Sequence, residues 1–194
     1  MRRASLAGLV ILAGLKAGGY AVTEPAFTLA TDPAEKVLRV QFAATTAPYY
    51  VEWTVYGDGR LEKVESYTSD PTRRSEVKLP PEQVRALVSR AIDQGLADTS
   101  HAALAERIAD GWAQLRPEGL KFTPTVPPPP DDAPTSELEI RLASYRGGKS
   151  PHVVLLRRKG VQELARELPM VAELQEWARL AETLDALVTK ERPK

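Results

Sequence analysis

Few residues in this chain have types and spacing that suggest chemistry. His101 and His152 are the two histidines of 194 residues. Glu106 follows His101 at five residues, and neither imidazole has a second histidine or carboxylate at i+3 or i+4, so no metal-ligand spacing arises. His101 reads as an exposed helix-start residue and His152 as a sheet-edge residue. The octapeptide Ala143-Ser144-Tyr145-Arg146-Gly147-Gly148-Lys149-Ser150 satisfies the loose pattern of a phosphate-binding loop. Such a loop works because the amides at the start of a following helix bind the phosphates. Here Pro151 and the β-rich run His152–Leu156 follow, so the stretch is expected to be a hairpin turn, with no nucleotide bound. No Gly-x-Ser-x-Gly signature surrounds any serine. Glu52 and Glu65 are the carboxylates that a first hairpin brings nearest one another. On one face they would share a proton in the manner of an acid–base pair; on two faces they are solvated charges. A turn of two or of three residues decides between these. Asp131 and Asp132 lie on a proline-rich stretch, where solvation accounts for them.

The strongest surface candidate is aromatic. In Tyr49–Tyr56, the set Tyr49, Val51, Trp53, Val55 alternates with Tyr50, Glu52, Thr54, Tyr56. If Trp53 faces a core, then Tyr50, Glu52, Thr54 and Tyr56 face outward as an amphipathic surface suited to a partner or ligand.

Composition narrows the remaining classes. The 26 Lys and Arg balance 26 Asp and Glu, so no basic surface for nucleic acid is expected. The chain has no cysteine, which removes thiol nucleophiles, disulfides, iron–sulfur ligation and cysteine-based zinc sites. No cofactor and no metal are expected. A hydrophobic content of 43% with 27% charged residues is that of a globular domain.

Met1-Arg2-Arg3 followed by the apolar run Ala4–Leu15 has the basic and apolar regions of a secretory signal. The run is shorter than the roughly 20 residues that cross a bilayer. Gly19-Tyr20-Ala21 offers a cut after Ala21, so the protein is expected to be exported, periplasmic or extracellular. Leu12-Ala13-Gly14 is the tripeptide that precedes the lipidated cysteine of bacterial lipoproteins, but Leu15 stands at the attachment position. Membrane contact is therefore expected only through an uncleaved leader. Arg2, Arg3 and Lys16 leave with the leader, and the remaining body is mildly acidic.

The elements that must position these residues follow from periodicity. Residues 22–35 carry Pro25 and Pro33 and read as a linker; residues 36–190 read as one domain. Leu38, Val40 and Phe42 alternate with Arg39 and Gln41, predicting a strand over 37–43. Tyr49–Tyr56 is a second strand, Gly57-Asp58-Gly59-Arg60 a hairpin turn, and Leu61–Tyr67 the return strand. Ser75–Leu79 predicts one more short strand. Pro80-Pro81-Glu82-Gln83 opens a helix with Val84, Leu87, Val88, Ala91 and Ile92 on one stripe, closed by Gly95 and Leu96. Ser100–Leu115 forms a second, weaker helix through Leu104, Ile108 and Trp112. Seven of the 16 prolines lie within 117–134, an insertion of polyproline character. Strands return at Ser136–Ser144 and His152–Arg157 around a turn at Arg146-Gly147-Gly148-Lys149. A helical stretch from Val161 to Thr189 is broken at Pro169. Met170, Leu174, Trp177, Ala181, Leu184 and Val188 form its apolar stripe, with Glu173, Glu176, Arg179, Glu182 and Asp185 on the opposite face. The fold class expected is α+β, a curved antiparallel sheet of about five or six strands with helices packed on one face.

Trp53-Thr54-Val55-Tyr56-Gly57-Asp58-Gly59-Arg60, followed by Leu79-Pro80-Pro81-Glu82-Gln83-Val84-Arg85-Ala86-Leu87-Val88, resembles a family of exported bacterial proteins of unknown function. That family pairs an aromatic Gly-Asp-Gly hairpin with a Pro-Glu-Gln-Val helix. The resemblance covers Tyr49 to Asp98. It implies a cell-envelope setting, often with a lipoprotein leader, and supplies no activity and no site residue. Two functions are carried forward. One is a non-catalytic exported envelope protein that binds a protein, peptide or wall component through its sheet face or proline loop. The alternative is a periplasmic hydrolase built on Glu52 and Glu65.

Overall fold

The computed structural model describes residues 26–44, 49–68, 70–115 and 132–190. The predicted leader, the first residues of the predicted linker and nearly all of the proline insertion lie outside the described residues. The fold is α+β, as expected. Six antiparallel strands form the main sheet: β2 (Lys36–Ala43), β3 (Tyr49–Tyr56), β4 (Arg60–Tyr67), β5 (Asp70–Lys78), β6 (Thr135–Leu142) and β8 (His152–Lys159), in the order β5-β4-β3-β2-β6-β8. Two short strands, β1 (Phe27–Thr28) and β7 (Ser144–Tyr145), pair beside it. The helices are α1 (Pro81–Asp93), α2 (His101–Gln114), α3 (Val161–Glu167) and α4 (Ala172–Lys190).

Period-two alternation, summed over the registers, produces one apolar face. Val154, Ile140, Leu38, Val55, Leu61 and Val77 are successive Cα partners across all six strands, and every one is buried. The next row on that face is Leu156, Leu138, Val40, Trp53, Lys63 and Ser75. The helices cover this face. Trp177, Leu174, Leu180 and Leu184 of α4 are fully buried against it, joined by Val84 and Val88 of α1 and Leu104 and Ile108 of α2.

Several local expectations need correction. Residues 22–35 are not wholly a linker, because Phe27 is buried in the core and pairs with Tyr145. The short strand expected at Ser75–Leu79 is the nine-residue edge strand β5, which accommodates Pro71 because an edge needs no donor on its outer side. Met170 is exposed, since it sits in the turn between α3 and α4 rather than on the stripe. Glu173 and Glu176 are buried instead of solvent-facing. Arg90 Nε donates to Glu176 at 2.9 Å, and Arg107 donates to Glu173 and, at 3.1 Å, to Thr99 Oγ1. Each carboxylate thereby links α4 to a helix packed beside it, which satisfies a charge that burial would otherwise penalise heavily.

Ends and turns follow their residue chemistry. Pro81 opens α1, where its missing amide hydrogen is not needed, and the Val84 amide donates to the Pro80 carbonyl at 3.2 Å. The Ser100 side chain accepts from the Ala103 amide at 3.1 Å and caps α2. Gly111, which weakens the helix prediction, has a packing reason. A Cβ there would lie 3.3 Å from Leu168 and Val171, so the glycine lets α2 approach the α3–α4 turn.

The hairpin between β3 and β4 turns through Gly57, Asp58 and Gly59, with Asp58 Oδ1 accepting from the Arg60 amide at 3.0 Å. Gly59 has φ +89°, and a Cβ on it would meet the Leu79 carbonyl oxygen at 2.4 Å. Gly147 has φ +75° with open space around it. Gly59→Ala is expected to destabilise by about 1–3 kcal/mol or more, and Gly147→Ala by clearly less, because only the first adds a backbone clash to the φ cost. Urea denaturation of the two variants beside the parent checks this.

Candidate functional site

The same registers that build the apolar face build a second face that no described helix covers. Its rows run Leu155, Glu139, Arg39, Thr54, Glu62 and Glu76, then Arg157, Glu137, Gln41, Glu52, Val64 and Arg74. Arg39, on β2 at the middle of the sheet, is the hub. Its Nε donates to Glu52 Oε2 at 2.7 Å, its Nη2 donates to Gln41, and Glu137 and Glu139 each lie 3.5 Å from its terminal nitrogens. Arg157 pairs with Glu137 at 3.4 Å, and Arg141 pairs with Glu139. On the other side Glu62 accepts from Arg74 Nη1 at 3.0 Å and from Tyr56 O–H at 3.2 Å, while Arg60 lies over the Tyr56 ring, 3.7 Å from its centroid.

All four residues of the predicted surface lie on this face, but in unequal roles. Tyr50, Glu52 and Tyr56 are half-buried, and Thr54, at 2% exposure, is buried and cannot touch a partner. Glu52 accepts from Tyr50 O–H at 2.7 Å and from Thr54 Oγ1 at 3.1 Å, as well as from Arg39. Burial raises the pKa of this carboxyl, but the hydrogen bonds from Tyr50 and Arg39 outweigh it and hold it below the ordinary value. The Tyr50 phenol is pushed up to about 12, by burial first and then by Glu52. The surface is thus an ordered lattice of paired charges with two tyrosines, more than an aromatic patch. Arg39, Glu137, Glu139 and Arg157 are its members that sequence reasoning did not single out. Their signal was the polar phase of the alternation on β2, β6 and β8; the information that β2 lies beside β6 is not local.

The proposed acid–base pair does not form. Glu52 pairs with Val64 and Glu65 pairs with Val51, so the two carboxylates are on opposite faces of the sheet. The hairpin turn of three residues, Gly57 to Gly59, sets that register. Glu65 instead lies 2.6 Å from Lys63 Nζ, which also meets Asp185 of α4 at 2.6 Å. Burial lowers the Lys63 pKa, but the hydrogen bonds to Asp185 and Glu65 prevail and raise it. An ammonium held this way is a structural tie between sheet and helix, not a nucleophile.

The histidines and the phosphate-loop pattern fall where the sequence puts them. His101 is exposed at the start of α2, and its Nε2 accepts from the Arg157 amide at 2.9 Å. His152 opens β8, donates from Nε2 to the Ala97 carbonyl at 2.7 Å and stacks on Tyr145. The two imidazoles thus use Nε2 in opposite senses, one accepting and the other donating. Arg146 and Gly147, at φ 48° and 75°, form a turn followed by strand β8, so the loop does not run into a helix as a phosphate-binding loop must. Among the described residues no group of three His, Asp or Glu could hold a metal ion, and no helix is long and apolar enough to cross a membrane.

Comparison with protein-family models and with curated proteins finds no match to this chain.

A pH prediction follows from Glu52. Because its folded pKa is lowered, its stabilising contribution is present above the unfolded value and is lost as pH falls through the folded one. Glu52→Gln is expected to be less stable than the parent near neutrality, with the difference shrinking below about pH 4. Denaturation midpoints of both proteins across that range check it.

Proposed function

We propose that the protein is a non-catalytic, exported envelope module that binds a protein, peptide or wall component on the helix-free face of its sheet. One observation carries the reading. Val153 and Leu155 of β8 are 50% and 54% exposed on that face, beside the paired charges of Glu139, Arg141 and Arg157. Exposed apolar side chains flanked by ordered charges have the composition of an interface, with apolar anchors to bury and polar neighbours to fix orientation. The salt bridges of the face neutralise one another, so a partner is selected by matching charge positions rather than by a long-range field. The leader Met1–Ala21 and the resemblance of the Gly-Asp-Gly hairpin and Pro-Glu-Gln-Val helix to exported bacterial proteins support the envelope as the compartment.

Affinity capture from an envelope fraction tests the reading. Leu155→Glu combined with Arg157→Glu is expected to lose the captured partner, while Arg179→Glu on α4 retains it. Retention of every partner by the double variant overturns the reading for this face. Deleting 117–134 tests the proline stretch in the same experiment, and partners that survive its removal do not depend on it.

A further inference from the structure

At one end of the sheet, where β2 and β8 begin and β6 ends, a cleft of about 560 Å³ opens between strand ends and the lead-in from β1. That volume is within the range of small-molecule sites. Its lining is unlike the paired lattice beside it. Lys36, Arg141 and Lys149 all contribute, against the single carboxylate of Glu35. Arg141 pairs with Glu139, whereas no carboxylate among the described residues forms an ion pair with Lys36 or Lys149. Lys36 and Lys149 are thus cations that no described carboxylate neutralises, and they share one cavity with Arg141. Ala143, Pro151 and Val153 supply an apolar wall, with Val153 half exposed. The turn that carries Lys149 into the lining holds Arg146 at φ 48°, a left-handed conformation that a non-glycine residue adopts at a cost.

We propose that this cleft binds a small organic anion, a carboxylate or phosphate monoester with an apolar body. Lys36, Arg141 and Lys149 would take the anionic group, and Ala143, Pro151 and Val153 the body. Arg141 presents two terminal nitrogens to an anion in the forked geometry that suits carboxylate and phosphate oxygens. The ammonium groups add charge without geometric demand. The mode of binding differs from that of a phosphate-binding loop, because side-chain cations rather than helix amides hold the anion. The cleft shares Val153 and Arg141 with the docking face, but its tests change Lys36 and Lys149 and leave Leu155 and Arg157 in place, so the two readings fail separately.

Titration of the full chain with phenyl phosphate, followed by amide NMR shifts of residues 141–153, tests it. The expected result is saturable binding with Kd at or below about 1 mM. Lys36→Glu and Lys149→Glu should each weaken it at least tenfold, with Lys36→Gln and Lys149→Gln intermediate. Inorganic phosphate, lacking the body, should bind at least tenfold more weakly, and benzyl alcohol, lacking the charge, should not saturate. Both lysines lie outside the core, so unchanged circular dichroism will accompany the losses. Absence of saturable shifts with phenyl phosphate overturns the proposal. So does equal affinity in the charge-reversed variants, or equal affinity for inorganic phosphate.

Discussion

The row Val154, Ile140, Leu38, Val55, Leu61 and Val77 is the constraint on which the rest of the molecule depends. Because side chains alternate between faces along a strand, each strand has one register in which its member of this row meets its neighbours. A slip by one residue in any strand would send its apolar set to the other face. The helices then have one surface to cover, and α4 covers it with a fully buried Trp177. Every charge on β2 and β6 is forced to the opposite face, where Arg39 is within reach of three glutamates from two neighbouring strands. The polar lattice is in this sense a by-product of the apolar row, although its pairing is specific.

The helix layer obeys a different compromise. A purely apolar α4 would pack on the sheet with nothing to fix its neighbours, whereas Glu173 and Glu176 bury two carboxylates that must be paired. Arg107 of α2 and Arg90 of α1 supply the cations. Removing one partner of such a pair costs more than the pair contributes, because a buried charge is left behind. The arrangement therefore penalises displacement of α1 or α2 more than it rewards their correct seating. Lys63 does the same between sheet and α4, through Asp185.

Much of this was legible in the sequence where the signal is local. The strands over β2 to β4, helix α1 with its proline start, and the break at Pro169 follow from periodicity and from residues with fixed backbone preferences. The outward set Tyr50, Glu52, Thr54 and Tyr56 followed once Trp53 was placed inward. What failed depends on partners distant in the chain. Strand β5 looks polar because it is an edge whose neighbour lies on one side only. Glu173 and Glu176 fit the polar phase of an amphipathic helix until Arg90 and Arg107 arrive from elsewhere. Thr54 is covered by the charged side chains around it, which strand periodicity does not express. Arg39 became the hub only when β6, nearly a hundred residues away, took its place beside β2.

The two borders of the sheet bear on how the protein behaves at high concentration. An open six-stranded sheet offers hydrogen-bonding groups at both ends, and identical chains can add to them without limit. On β5 the border carries Pro71, which has no donor to give, and the charged side chains Asp70, Arg73, Arg74, Glu76 and Lys78, which an incoming strand would have to desolvate. On β8 the amide of Arg157 is already taken by the imidazole of His101. An incoming strand would have to displace that ring before it could pair there. The two borders are thus guarded by different means, an imidazole at the start of a helix on one and composition on the other, so they fail under different insults: denaturation of α2 exposes the first, and screening of charge by salt weakens the second.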